Sequence, residues 1–261
     1  MSVSETSLRG FRVVWEEELD AFPAVAHPEW AESFSWLVQG TTTREARGRS
    51  FDLGLFTGAS PKDEVLAHWE ELRSHAGLPS VLNARQVHGP EVWRHETAPP
   101  GLTTMPEPCD GHATLSADIL LTVTTADCVP VFLVDPARRA ISMLHAGWRG
   151  AAAGVLERGI EALCDRGGSA TETLLVHFGP AICGRCYEVG IEVFDALNQP
   201  VPRGPVPIDL RMILAERAVA KGVAADAISI SGHCTRCTAV DFFSHRGGDR
   251  GRQVGFLGVR G

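Results

Sequence analysis

The sequence predicts an α/β fold in a single domain. Two observations carry that prediction. Residues 119–144 hold three β-rich runs in quick succession, and stretches with helical spacing stand at 61–77, 150–164, 188–197 and 210–221. In addition, no internal repeat, low-complexity tract or linker divides the 261 residues, a length that can bury a sizeable core.

Taken in chain order, residues 41–56 are polar and glycine-containing and read as loop. Residues 61–77 read as a helix that Ser60 can cap, with Pro61 suited to the first turn and Gly77 to the stop. Val65, Leu66, Trp69 and Leu72 fall on one face of it. Residues 81–87 and 91–95 read as strands around the turn His88-Gly89-Pro90, and 96–108, rich in Pro and Thr, as an exposed connection. The runs 119–124, 129–134 and 140–144 are strands, with a turn at Asp135-Pro136-Ala137-Arg138. An Ala-rich helix follows over 150–164, which places His145 where a strand ends and a helix soon begins. Ligand groups collect at such strand ends in α/β proteins. A strand over 173–178, a helix over 188–197, a helix over 210–221 opened by Asp209 and closed by Gly222, and a late strand over 227–231 complete the pattern.

Composition narrows the class. The chain is 44% hydrophobic and 21% charged, ordinary for a globular protein, and 24 Lys and Arg against 32 Asp and Glu give a net charge of −8. An acidic chain without a dense basic tract argues against nucleic acid as a partner. The first 19 residues show no apolar secretory core, and runs such as 129–134 are too short to span a bilayer, so no membrane partner is expected. Seven cysteines in that setting read as reduced thiols of a cytoplasmic protein.

Three segments each present a soft-metal ligand: Gln86-Val87-His88-Gly89, Thr125-Ala126-Asp127-Cys128, and His145-Ala146-Gly147-Trp148-Arg149-Gly150. Two imidazoles and a thiolate suit zinc and leave a tetrahedral ion one open position, as in reactive rather than structural sites. A lone His is commonly a hydrogen-bonded structural group and a lone Cys a small buried apolar one, and spacing alone does not bring His88 to Cys128. Gly89, Gly147 and Gly150 free the backbone beside both histidines.

With Gly179-Pro180-Ala181-Ile182, Cys186-Tyr187-Glu188-Val189-Gly190 and Phe242-Phe243-Ser244-His245-Arg246, these motifs form an ordered series. It resembles the YfiH-type family, long labelled multicopper polyphenol oxidases and later recognised as zinc-dependent purine nucleoside phosphorylases. The resemblance runs from about residue 40 to the C-terminus, and implies one catalytic domain over 1–261 with its core at about 40–260. It also implies a layered helix–sheet–sheet–helix architecture with mixed sheets, metal ligation by His88, Cys128 and His145, and Zn²⁺ as cofactor, with Cu²⁺ the older alternative. The implied partners are a small nucleoside and phosphate. The implied activity is phosphorolysis of adenosine, inosine, guanosine or methylthioadenosine, with adenosine deamination as companion. Oligomeric state is not legible.

Other residues offer chemistry around this set. Arg149 follows His145 closely enough to share its rim, where a guanidinium could hold phosphate through paired charge-assisted hydrogen bonds. An ordinary surface ion pair is its other reading. Arg44 and Arg246 lie in further family-like segments and are weaker candidates for substrate contact. Asp127 could orient a metal-bound His or act as a base, although neighbours in a regular strand point to opposite faces; it could also cap the turn at Pro130. Asp110 and His112 form a polar pair that could supply acid–base groups, with loop solvation the plainer reading of His112. Cys183-Gly184-Arg185-Cys186 and Cys234-Thr235-Arg236-Cys237 are C-x-x-C pairs that could close a four-cysteine site or remain packed thiols. The family's Asn in Ser-x-Asn-Leu-Gly is Asp52 here, and the usual second Arg after Arg246 is Gly247. Cys128 also admits a second role, as a thiolate nucleophile with His145 or His88 as base. Related proteins have been proposed as cysteine hydrolases linked to peptidoglycan precursor editing. A copper oxidase would need further clustered histidines, and a non-enzymatic metal-storage role would show bound metal without turnover.

Overall fold

The strand Val129–Asp135 is apolar on both sides: Val129, Val131 and Leu133 join one core cluster, Phe132 and Val134 another. Residues two apart share a face, so such a strand must be covered on both. Its antiparallel partner Ala140–Ala146 repeats the split, with Ala140, Leu144 and Ala146 in the first cluster and Ile141 and Met143 in the second. Helices Val155–Cys164 and Leu210–Ala220 close the first cluster. A second sheet closes the other, through Leu121 and Val123 of Ile119–Thr125 and Leu257 and Val259 of Gln253–Val259. On the far face of that sheet, Leu120, Val254 and Phe256 pack on Val65, Trp69 and Leu72 of helix Lys62–Ala76. The layers are therefore helix, sheet, sheet, helix.

This computed structural model describes residues 7–8, 10–46, 48–165 and 168–261. The first sheet runs in the spatial order Ser7–Leu8, Phe11–Val14, Ile228–Ser231, Leu175–Phe178, Val129–Asp135, Ala140–Ala146, Gly111–Thr114, Val92–His95. The second runs Gly101–Thr104, Ser80–Asn83, Ile119–Thr125, Gln253–Val259, Leu37–Thr42, Ala24–Ala26, Glu17–Glu18. Both are mixed: Leu175–Phe178 pairs parallel with Ile228–Ser231, and Ser80–Asn83 parallel with Ile119–Thr125, among antiparallel neighbours. Among the described residues, no helix is long and apolar enough to cross a membrane.

Several local expectations change. The helix expected over 61–77 starts at Lys62 after Pro61, with no side-chain cap from Ser60, and Leu66 is exposed while Val65, Trp69 and Leu72 are buried. Gly77 does end it, in the left-handed conformation at φ 66°. The strand expected over 81–87 stops at Asn83, and the two runs flanking His88 belong to different sheets rather than to one hairpin. The segment 96–108 contains the strand Gly101–Thr104, and 41–56 begins inside the strand Leu37–Thr42. The helix expected over 150–164 is two, Trp148–Ala153 and Val155–Cys164, broken at Gly154 with φ 93°. The helix expected over 188–197 is only Ile191–Ala196. His112 is not a solvated loop residue: it lies in Gly111–Thr114, buried, with His95 Nε2 2.9 Å from its Nδ1. Asp209 caps Leu210–Ala220 through the Arg211 amide, and Asp135 accepts from the amides of Ala137 and Arg138 to close its turn.

Candidate metal centre

Three chain segments converge at the carboxyl ends of the central strands. His145 is the penultimate residue of Ala140–Ala146, opposite Pro130 in register. Cys128 sits in the tight turn joining Ile119–Thr125 to Val129–Asp135, a turn in which Asp127 takes φ 87°. His88 rides a loop between the sheets. Gln86 fastens that loop to the end of Ile119–Thr125: its Nε2 donates to Thr124 O at 2.8 Å, and its Oε1 accepts from Thr124 N at 2.7 Å. The buried carboxylate of Asp110 then gathers three successive amides, accepting from Val87 N (3.0 Å), His88 N (2.9 Å) and Gly89 N (2.9 Å). The amides can curl around one carboxylate because His88 is left-handed, φ 59°.

Asp110 also sets the other histidine. Its Oδ1 accepts from His145 Nδ1 at 2.8 Å, which leaves Nε2 as the nitrogen available to ligate. The candidate donor atoms of His88, Cys128 and His145 lie within 4.8 Å of one another, with Cys128 Sγ 3.8 Å from His88 Nε2. Gly147 makes the approach geometrically feasible: a Cβ there would stand 2.6 Å from His88 Cδ2 and 3.0 Å from Cys128 Sγ.

Burial opposes charge on Cys128 and His145, but their mutual attraction outweighs it. The thiol is drawn down to about 6 by His145 and His88, and the His145 imidazole is lifted to about 9 by Cys128 and Asp110. Asp110 is held below the usual carboxylate range despite its burial, because His145 and the loop amides favour its charged form. A thiolate, a correctly oriented imidazole and a second, exposed imidazole fit a zinc ion that keeps a position open.

These three residues line a cavity of about 580 Å³, within the range of small-molecule sites. Arg149 and Arg246, both expected from the sequence, line it too, as do Arg85 and Arg252, which were not. Arg149 stacks over Trp148 at 4.2 Å and Arg246 over Tyr187 at 5.2 Å. Among the described residues, none of the four arginines pairs with a carboxylate, whereas Arg44 is not brought to the cavity and pairs with Asp249 and Asp241. Asp127 lines the cavity, but its oxygens accept from Thr235 Oγ1 and Arg246 N, each at 2.6 Å. It fixes the loop carrying Arg246, and the orienting role falls to Asp110 instead. Asp52 accepts from Gly54 N and Arg252 N, so the Asp at the family's Asn position ties two cavity segments together. A sign of Asp110 was present in the sequence, as the acidic member of Cys109-Asp110-Gly111-His112. Arg85 and Arg252 gave none beyond their charge.

Residues 38–260 match the family described as multi-copper polyphenol oxidoreductase laccase. The chain is 32% identical over 258 residues to purine nucleoside phosphorylase YlmD of Geobacillus stearothermophilus, covering 88% of this chain and 93% of that one. It is 39% identical over 151 residues to adenosine deaminase RL5 from an unknown prokaryotic organism, covering 54% of this chain and 57% of that one. The crystal structure of YlmD from Geobacillus stearothermophilus superposes with a TM-score of 0.83 at 27% identity, covering 95% of this chain and all of that chain (100%).

Proposed function

The chain belongs to the family described as multi-copper polyphenol oxidoreductase laccase, and we propose that it is a zinc-dependent purine nucleoside phosphorylase with adenosine deaminase activity. Adenosine, inosine, guanosine and methylthioadenosine are the substrates this reading assigns. One observation carries it. His88, Cys128 and His145 line the same cavity as four arginines unpaired with carboxylates, in a chain whose net charge is −8. A local cationic site in an acidic protein suits a small anion, and guanidinium forks suit phosphate. The cytoplasm is the compartment proposed with it.

His88, Cys128 and His145 would hold the metal, which when bound supplies Lewis-acid polarisation of an oxygen ligand. The protein's own groups do the rest. Asp110 keeps His145 in the ligating tautomer. Arg149 and Arg246, seated over Trp148 and Tyr187, place phosphate beside the ribose. As the N-glycosidic bond breaks, its electron pair leaves with the purine and positive charge grows on the sugar; the neighbouring hydrogen phosphate offsets that charge and captures the anomeric carbon, and the proton it gives up ends on the purine nitrogen. The donor set favours zinc over the copper of the family's description. Among the described residues, the other group able to hold a metal is four cysteines, without the clustered histidines that coupled coppers require.

The lowered Cys128 thiol would also suit a cysteine hydrolase. Metal content separates the readings, because a ligated thiolate cannot form a covalent intermediate. The test is release of free base from adenosine and inosine, with and without phosphate, on protein whose zinc has been quantified. Base release that requires both zinc and phosphate is expected; release indifferent to either contradicts the proposal.

A further inference from the structure

A cluster of four cysteine thiols stands apart from the cavity. Leu175–Phe178 and Ile228–Ser231 are neighbouring parallel strands, and the loop after each carries a C-x-x-C pair. An isolated parallel bridge between Ala181 and Cys234 extends the pairing past the strand ends, so both loops leave the sheet side by side. This brings the sulfurs of Cys183, Cys186, Cys234 and Cys237 within 4.8 Å of one another. We infer that these four cysteines bind a second, structural zinc ion.

The spacing fits the ion. Zn–S bonds of about 2.3 Å in a tetrahedron place sulfurs about 3.8 Å apart, and Cys183 Sγ and Cys237 Sγ are separated by 3.8 Å. A disulfide would need about 2.05 Å. Backbone amides hold one sulfur of the cluster in place: Cys234 Sγ accepts from Cys183 N at 3.2 Å and from Arg236 N at 3.4 Å. Gly184 N is held by Asp209 Oδ2 at 3.1 Å, which anchors the first loop to the cap of Leu210–Ala220. No position is left open by four protein ligands, so the site is structural. The sequence left packed thiols as the other reading, because spacing along the chain does not reveal that the two pairs follow adjacent parallel strands.

The ion would clamp one wall of the active cavity. The first loop carries Ile182 and leads into Tyr187, both of which line it. Thr235, inside the second pair, donates to Asp127 beside Cys128. The inference does not depend on the proposed reaction, since any occupant of the cavity would meet the same wall.

Metal analysis under reducing conditions tests it. Wild-type protein should carry two zinc ions per chain, Cys128→Ala one, and Cys186→Ser/Cys237→Ser one. Should the double variant fail to fold, Cys128→Ala alone decides. After cobalt exchange, it should show the intense charge-transfer bands of a tetrahedral tetrathiolate, without contribution from the histidine site. A single zinc in the wild type that disappears in Cys128→Ala would overturn the inference. So would cobalt spectra lacking tetrathiolate bands, and iron in place of zinc would overturn the metal assignment.

Discussion

Replacing Asp110 by Asn tests whether one buried carboxylate builds the ligand set. The substitution keeps size and shape but removes half of the acceptor capacity. Oδ1 now serves His88 N and His145 Nδ1, while Oδ2 serves Val87 N and Gly89 N. An amide cannot satisfy both sides. If its oxygen faces Val87 and Gly89, its NH₂ meets two donors, and His145 must switch tautomer, putting the proton on the nitrogen meant for the metal. If it faces His145 instead, the amides of Val87 and Gly89 are orphaned, each at about 1–3 kcal/mol, and the loop carrying His88 shifts. Either arrangement damages one ligand. Partners of this kind typically change metal affinity about 10- to 100-fold, or about 1.4–2.8 kcal/mol. Competition against a chromophoric chelator would measure the loss, and thermal melting of the metal-free proteins would separate it from unfolding. Zinc affinity equal to wild type, in a folded variant, would refute the assignment of Asp110 as the group that orients the ligands.

Gly147→Ala should lower zinc content and cost about 1–3 kcal/mol of stability by overpacking, read by metal analysis and melting, since the added Cβ would meet His88 and Cys128. Arg149→Ala should raise the phosphate KM of base release, and Arg149→Lys should not fully rescue it because the planar fork is lost. Arg44→Ala should leave that KM unchanged, as its partners are Asp249 and Asp241. In metal-free protein, Cys128 contributes stability that is full above 9.0 and lost as pH falls through about 6. His145 contributes stability that is full below 6.5 and lost as pH rises through about 9. The two slopes oppose and nearly cancel between about pH 6.5 and 9, so the pair's contribution to the metal-free Tm should be close to flat there, and a steep change across that window that is absent from Cys128→Ala would contradict the ion pair.

The central strands were legible because their apolar residues are continuous, as expected where both faces are covered, and helix Lys62–Ala76 because Val65, Trp69 and Leu72 repeat at helical spacing. The strand Gln253–Val259 was not. Gly255 and Gly258 interrupt its pattern, yet a Cβ on either would come within 2.5 Å of Met143 or Leu78, so close packing required residues that weaken a strand signal. His88, Cys128 and His145 could be named because each sits in its own motif. Asp110 could be noticed but not placed, since its partner His145 is 35 residues away and Asp127 stands next to Cys128 in the chain. Neighbourhood along the chain favoured the wrong carboxylate for orientation. Arg85 and Arg252 reach the cavity only through the fold, from a loop between the sheets and from the residue before Gln253–Val259.

Whether Cys128 ligates zinc in a phosphate-consuming reaction is decided by the rate at which a thiol-alkylating reagent abolishes phosphate-dependent cleavage of inosine, measured on zinc-loaded and chelated protein. Alkylation should be slow on the loaded enzyme and fast after chelation, and zinc added to chelated, unmodified protein should restore cleavage. Activity that survives chelation and is lost quickly to alkylation of the loaded protein would make Cys128 a nucleophile and contradict the account.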